Sequence, residues 1–191
     1  MIFAGSLFGL TSQSLDERAP ERIKGIFAGT FGMTPRERAA SIEKRRLAVL
    51  EPNTRDFAIG ILAWASANGI PAIIGETYRS PEQQAKEIAA GRSGITEGQV
   101  GWHQFGRAFH LIILRPGTKQ LDVEAYRRVG EEVRRRGGDW LGDKPITTVK
   151  GKVQDLAHFE YHPGLTLWSY RISAPAQREL AMVAKRAVRY G

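Results

Sequence analysis

The sequence predicts an α+β fold, in which helices and strands are mixed without the strict alternation of a doubly wound sheet. Segments with helical periodicity and helix-capping residues are interspersed with short apolar or β-branched runs that are typical of strands. The 191-residue chain is 42% hydrophobic and 25% charged, a composition typical of a globular domain with a sizeable core. We therefore expect one main domain.

Capping residues locate the predicted helices in the first half of the chain. A charged helix begins at Thr34 and has Pro35 in its first turn. The next is predicted to have Asn53 as its cap, and the third begins at Ser80 with a capping box and runs to Gly91. Ser, Thr and Asn side chains accept hydrogen bonds from the free N–H groups of a first turn, so these positions predict helix starts.

Short apolar and β-branched runs mark the predicted strands, which cover residues 70–77, 108–114, 146–149 and 157–161. An amphipathic helix is predicted over 122–136, and a basic helix over 174–190. The glycine-rich segment 91–102 is a predicted loop, long enough to carry function.

Three regions follow from these patterns. Residues 1–45 are predicted to be an N-terminal extension that is partly helical, 46–170 the main domain, and 171–191 a C-terminal basic helix. No run approaches the roughly 18 to 20 apolar residues that span a bilayer, so we expect no transmembrane segment. The apolar start of the chain lacks a basic n-region, and no Sec signal is expected.

The charge of the chain indicates an anionic partner. The 28 Lys and Arg residues exceed the 20 Asp and Glu residues, which gives a formal net charge of +8. Charge alone does not distinguish nucleic acid, acidic lipid and an anionic cell-wall polymer. The sequence has no recognisable helix-turn-helix, zinc-finger or RNP pattern, which counts against nucleic acid.

The chain has no cysteine, so any metal must be held by His, Asp or Glu. His103 and His110 would point to opposite faces of one straight strand, and they can converge only if the chain turns, for which Gly106 is placed. His158 and His162, on one strand, would be roughly 13 Å apart and could not share a metal. Spacing alone favours a buried core histidine over a metal ligand.

Four motifs follow one another along the chain: YRSPEQQ at 78–84, WHQFGRAFHL at 102–111, RRRGGDW at 134–140 and DLAHFEY at 155–161. Together they resemble the zinc D,D-peptidases of the VanY and L-alanyl-D-glutamate endopeptidase type, which are the peptidase M15 enzymes and include many phage endolysins. Their order and spacing match the family over roughly residues 47–165. The resemblance implies a small antiparallel sheet flanked by helices (a D,D-peptidase/Hedgehog-type fold), one Zn²⁺ and cleavage of peptidoglycan stem peptides.

The same resemblance implies roles for individual residues. His103 and His158 match the first and last zinc ligands, and Asp155 matches the catalytic carboxylate that takes a proton from water. Arg79 matches the arginine that binds substrate and stabilises the developing oxyanion. Trp102 and Trp140 lie inside the motifs and are predicted to wall the substrate cleft, although they could equally pack the core.

The chain departs from the family at two positions. The family pattern His-x-x-Gly-x-Ala-x-Asp places an aspartate ligand where this chain has His110, and the family usually has Ser where this chain has Gly101. Three neutral histidines leave a zinc site with net charge of about +2, whereas two histidines and a carboxylate leave about +1. We expect His110 to act as the third ligand, with zinc still bound and turnover reduced.

The predicted function is that of a zinc-dependent peptidase acting on peptidoglycan, such as a phage or prophage lysis enzyme. We expect it to be a monomer. It would act at the cell wall, either after release from the cytoplasm or as a component of the virion. One alternative is a wall-binding pseudoenzyme that has lost hydrolysis. A basic nucleic-acid-binding protein is another, which a steep salt dependence of DNA binding would reveal; we expect no nucleic acid partner.

Overall fold

The computed structural model describes residues 34–95 and 99–190. The chain divides into two compact units, Met1–Ala40 and Ser41–Gly191, and the described part of the first is residues 34–40. Most of the predicted N-terminal extension therefore lies outside the described residues. The domain boundaries predicted at 45/46 and 170/171 stay predictions.

The described residues form six helices and six strands. The helices are α1 (Pro35–Val49), α2 (Pro52–Ala67), α3 (Pro81–Ala89), α4 (Val123–Arg135), α5 (Leu167–Arg171) and α6 (Ala174–Tyr190). The strands are β1 (Ala72–Ile74), β2 (Ala108–Ile113), β3 (Asp139–Trp140), β4 (Ile146–Thr148), β5 (Gly151–Val153) and β6 (His158–Glu160). The predicted α+β class is confirmed.

Four strands form an antiparallel sheet in the order β1-β2-β6-β3, and β4 and β5 form a separate hairpin. The side chains of β2 alternate between the two faces, as the period of two in a strand requires. Phe109, Leu111 and Ile113 are fully buried on one face, where they pack with α2 and α4 in the main core. The opposite face carries His110 between Ala108 and Ile112 of β2, and His158 and Glu160 of the paired strand β6.

Most predicted helix starts agree with the structure. The Thr34 hydroxyl accepts a hydrogen bond from the N–H of Glu37, and Ser80 with Gln83 forms the predicted capping box. The predicted cap of the second helix is wrong. Its N-cap is Glu51, whose carboxylate accepts from the N–H of Thr54, because Pro52 has its φ preset for the first helical position and moves the start ahead of Asn53.

Three elements were not predicted: β3, β5 and α5. β3 and α5 contain only 2 and 5 residues, and β5 has 3, so their sequences are too short to show a period. They are formed by their contacts with other elements, since β3 pairs with β6 and β5 pairs with β4.

Helix α6 packs against the turn that precedes β2. Ala176 of α6 is buried with Trp102, Phe105 and Ala108 in a second apolar cluster. Near this cluster, the Arg107 guanidinium forms an ion pair with Glu179 of α6, with 3.0 Å between Nε and Oε1. The helix therefore supports the segment that carries His103. No helix among the described residues is long and apolar enough to cross a membrane.

Candidate metal centre

Strand pairing brings two of the histidines together on the polar face of the sheet. His110 of β2 and His158 of β6 are direct cross-strand partners. Their neighbours Phe109 and Phe159 point into the core, so the alternation of the two strands sends both imidazoles to the opposite face. Nε2 of His110 lies 3.2 Å from Nδ1 of His158.

A tight turn over residues 102–106 brings the third histidine to the same place. Gly106 has φ of +65°, and its N–H donates to the carbonyl of His103 at 3.2 Å. The N–H of Arg107 donates to the carbonyl of Trp102 at 2.9 Å, which closes the turn directly before β2. As Gly106 predicts, the chain reverses between His103 and His110, and their Nε2 atoms lie 3.3 Å apart.

The three imidazoles have the spacing of a metal site. One nitrogen from each of His103, His110 and His158 lies within 4.8 Å of the other two. Two nitrogens bound to a tetrahedral zinc at about 2.0–2.1 Å lie about 3.3–3.4 Å apart, close to the 3.3 and 3.2 Å seen here. The set therefore fits zinc. His162 is outside this trio, as its spacing from His158 predicts.

The outward nitrogen of His158 is held by a buried carboxylate. Nε2 of His158 lies 2.7 Å from Glu160 Oε1, and the other Glu160 oxygen is 2.9 Å from Nε2 of His162. Burial alone would raise the pKa of Glu160, but the hydrogen bonds from the two histidines lower that pKa to about 2. Glu160 is thus a carboxylate that fixes the ring of His158, leaving Nδ1 to face the other histidines.

The outward nitrogens of the other two histidines are less firmly held. Nδ1 of His103 is buried and has no hydrogen-bond partner among the described residues, although the backbone of Thr77 lies near the ring. Nδ1 of His110 lies 3.9 Å from Oε2 of Glu76. In each ring, therefore, one nitrogen faces the centre of the trio and the other faces outward.

The environment favours neutral imidazoles, the form that binds metals. Burial, followed by the positive charges of His110 and His158, holds the pKa of His103 well below its ordinary value. Burial and the charge of His158 lower the pKa of His110 to about 4, against the opposing effect of Asp155 and Glu76. Both rings are therefore uncharged at neutral pH, each with one N–H and one free nitrogen lone pair.

Asp155 and Arg79 both border the trio. Asp155 Oδ2 lies 3.9 Å from Nε2 of His110 and 4.0 Å from Nδ1 of His158. Arg79 is 8% exposed, and its guanidinium donates to the Glu76 carboxylate and, at 3.3 Å, to Oε1 of Gln84. The structure therefore brings together five of the seven residues that the sequence singled out.

Trp102 and Trp140 occupy a different environment. They are 6% and 4% exposed, respectively. Trp102 stacks on the ring of His162 with 4.2 Å between centroids, and the indole N–H of Trp140 donates to the carbonyl of Leu156 at 2.8 Å. Their contact with substrate stays a prediction, and both have little exposed surface for it.

Sequence reasoning missed Glu76, Gln84 and Glu160 at this site. The position of Glu160 beside His158 could have been predicted, because residues two apart on a strand lie on the same face. Gln84 lies inside the quoted family motif, but its contact with Arg79 depends on how the chain folds back at Ser80. Glu76 gave no signal, since its position depends on how the chain leaves β1.

Comparison with known proteins supports the resemblance inferred from the motifs. No family model matches the sequence. The chain is 31% identical over 99 residues to the L-alanyl-D-glutamate peptidase of Listeria phage A118, a match that covers 49% of this chain and 34% of that protein. The chain therefore spans about a third of the length of this relative.

Among solved structures, the L-Ala D-Glu endopeptidase ChiX of Serratia marcescens superimposes with a TM-score of 0.51 and 21% identity, covering 67% of this chain and 89% of ChiX. The chain has the fold of this endopeptidase. A variant of the vancomycin-resistance D,D-pentapeptidase VanY, in complex with Zn(II), matches with a TM-score of 0.43 and 22% identity over 63% of this chain and 83% of VanY. The superposition on ChiX confirms the predicted fold, and the sequence match to the phage peptidase confirms the resemblance inferred from the motifs.

Proposed function

We propose that this chain is a zinc-dependent peptidase that hydrolyses peptide bonds in the stem peptides of peptidoglycan. The observation that carries the proposal is the convergence of His103, His110 and His158 beside Asp155. The similarity to an L-alanyl-D-glutamate peptidase and the fold shared with an L-Ala D-Glu endopeptidase indicate the class of substrate.

Three histidines would hold the zinc, through Nε2 of His103, Nε2 of His110 and Nδ1 of His158. A zinc ion in such a site supplies Lewis-acid activation of water and of the peptide carbonyl. The residues that hold the rings in place are Glu160 behind His158 and Glu76 beside His110. Since no thiolate is present in the chain, imidazole and carboxylate are the only strong ligands available to it.

Asp155 acts as the general base. Its carboxylate takes a proton from the attacking water and later delivers it to the amine that leaves. Asp155 suits this role because its carboxylate lies 3.9 Å from Nε2 of His110 and 4.0 Å from Nδ1 of His158, the nitrogens that would hold the zinc.

Arg79 acts on the substrate. The guanidinium has five N–H donors, and contacts with Glu76 and Gln84 orient it while leaving N–H groups for a peptide carbonyl oxygen or a substrate carboxylate. Because Arg79 is mostly buried, its charge is poorly screened and acts strongly on the developing oxyanion.

His110 sets the level of activity. With three neutral ligands a bound zinc would carry about one more positive charge than with an aspartate ligand, which would lower the basicity of the water that the centre activates. We expect zinc binding to persist and turnover to be lower than in a His110→Asp variant. The enzyme would act as a monomer at the cell wall, where the net charge of +8 favours contact with anionic polymers.

The proposal is tested by incubating zinc-loaded chain with purified peptidoglycan and measuring new amino termini. The unmodified chain, its His110→Asp variant and an Asp155→Asn variant are compared, with Asp143→Asn as the control because Asp143 pairs with Arg134 at the surface. We expect amine release by the chain, more by His110→Asp, and a loss of about 10²- to 10⁴-fold in Asp155→Asn.

Each other outcome has a distinct meaning. Activity that appears only in His110→Asp would show that the unmodified chain has lost hydrolysis, as the wall-binding alternative requires. Zinc-loaded protein that releases no amine in either form would reject the peptidase. A loss in Asp143→Asn equal to that in Asp155→Asn would reject the role of Asp155 as the base.

A further inference from the structure

Glu76 is fixed beside His110 by the backbone. The N–H of His110 donates to the carbonyl of Glu76 at 2.7 Å, and the N–H of Gly75 donates to the carbonyl of His110 at 2.7 Å. These bonds continue the pairing of β1 with β2 past the end of β1. A side chain at position 76 therefore starts next to His110.

The carboxylate of Glu76 lies between Arg79 and two of the candidate ligands. It accepts hydrogen bonds from Nε and Nη2 of Arg79. Its Oε2 is 4.0 Å from Nε2 of His103 and 3.9 Å from Nδ1 of His110. A carboxylate has about four lone-pair positions, so it can hold Arg79 and also accept from an imidazole N–H.

His110 needs such a partner more than an aspartate at this position would. An aspartate ligand has no N–H to satisfy, whereas a neutral imidazole bound through Nε2 carries its proton on Nδ1 and must donate it. Among the described residues, Glu160 meets this need for His158, whereas Nδ1 of His103 has no hydrogen-bond partner. Nδ1 of His110 faces Oε2 of Glu76 at 3.9 Å, which is longer than a hydrogen bond.

We infer that Glu76 is a positioning residue that compensates for the histidine at position 110, by placing its carboxylate beside Nδ1 of His110 and returning a negative charge to the edge of the metal centre. This inference rests on the proposed function. Glu76 acts behind the ligands rather than as one of them, since its carboxylate is absent from the described group of ligand atoms that lie within 4.8 Å of one another.

Glu76 also links the metal centre to the substrate-binding arginine. The same carboxylate that faces His110 orients the guanidinium of Arg79. One residue thereby couples the geometry of the third ligand to that of the oxyanion contact.

The test measures zinc affinity by competition with a chelator, using the full chain and a double-mutant cycle. The four proteins are the unmodified chain, Glu76→Gln, His110→Asp and the double variant. Glu82→Gln is the matched control. This substitution also removes one negative charge, but Glu82 lies in the first turn of α3, where its carboxylate accepts a hydrogen bond from the Ser80 hydroxyl and not from Arg79. The visible spectrum of the cobalt-loaded proteins is recorded in parallel.

We expect Glu76→Gln to weaken zinc binding by about 10- to 100-fold in the unmodified chain, as is usual for a partner of a metal-bound histidine. In the His110→Asp background the same change should have a clearly smaller effect, because the N–H that Glu76 faces is gone and only the charge of Glu76 still acts on the metal centre. The cobalt bands should shift in Glu76→Gln and stay in place in Glu82→Gln.

Equal losses in the two backgrounds, or an unchanged affinity in Glu76→Gln, would overturn the inference and leave the proposed function intact. An unmodified chain that binds no zinc would instead reject the proposed function, and the inference with it. Circular dichroism of each variant separates a lost contact from a lost fold.

Discussion

At the scale of single residues, the candidate centre depends on the groups behind the histidines as much as on the histidines themselves. Glu160 contacts both His158 and His162 through its two oxygens. Its pKa of about 2 keeps it ionised at any pH at which the chain would work. A permanent carboxylate in this place fixes the ring of His158 and increases its basicity.

A Glu160→Gln substitution should therefore weaken zinc binding. The amide keeps the shape of the side chain but removes the charge, and we expect the zinc dissociation constant to rise by about 10- to 100-fold. Chelator competition measures the change. Glu131→Gln, on the exposed side of α4, is the control and should bind zinc like the unmodified chain. Equal affinity of the two variants would show that Glu160 does not support the metal centre.

The sequence could predict the histidines at this scale but only some of their partners. The turn at Gly106 and the alternation of β2 are local properties, so the convergence of His103 and His110 can be derived from the spacing. The position of Glu76 depends on pairing between segments that are more than 30 residues apart, Gly75 with His110, which no local pattern reports.

At the scale of elements, α4 lies against the sheet through a glycine. Gly130, in the middle of the helix, packs directly on the ring of Trp140, and a Cβ there would overlap that ring. Trp140 in turn pairs with Phe159, the residue that follows His158 on β6. The close approach of helix and sheet therefore supports the strand that carries a candidate ligand.

A Gly130→Ala substitution should destabilise the domain although alanine is the better helix former. The added methyl group must displace the Trp140 ring, and overpacking of this kind costs about 1–3 kcal/mol, more than the about 0.5–1 kcal/mol gained in the helix. Urea unfolding measures the difference. The control is Gly60→Ala in α2, where a Cβ meets only the end of the Arg136 side chain at 3.1 Å. A stabilised Gly130→Ala would contradict this packing.

The elements themselves were largely predictable from capping and period. Ser80 and Gln83 gave the start of α3, and the run of apolar residues from Ala108 gave β2. At α2 the sequence predicted Asn53 as the N-cap, whereas the N-cap is Glu51. Glutamate caps helices less often than asparagine, so the pattern favoured the wrong residue. Strands of two or three residues, such as β3 and β5, exist only because a partner strand is present.

At the scale of the whole molecule, the buried histidines couple the stability of the metal-free protein to pH. The pKa values of His103 and His110 are lower in the folded chain than the ordinary value of 6.5, and that of His110 falls to about 4. The unfolded chain therefore binds more protons in this range. The stability that these groups contribute is complete above pH 6.5 and is lost as the pH falls toward about 4.

His162 acts in the opposite direction. Burial lowers its pKa, but the hydrogen bond and the charge of Glu160 outweigh burial and raise it. The stability that His162 contributes to the folded chain is complete below pH 6.5. It is lost as the pH rises through the pKa that His162 has in the folded chain, which is above 6.5. A variant is therefore needed to isolate the effect of His110.

We expect metal-free chain to lose stability between pH 6.5 and 4.5 more steeply than metal-free His110→Gln, by up to about 1.4 kcal/mol per pH unit for one proton. Urea unfolding at a series of pH values, in the presence of a chelator, measures the two slopes. Parallel curves would mean that His110 is not held in its neutral form by the fold.

Three of the four histidines should form one metal centre. The decisive measurement equilibrates the chain with zinc, removes free metal by gel filtration and determines bound zinc by mass spectrometry. We expect one zinc per chain in the unmodified protein and in His162→Ala, and loss of zinc in His103→Ala, His110→Ala and His158→Ala. A full complement of zinc in His110→Ala, or an unmodified chain that retains none, would show that the three histidines do not form such a centre.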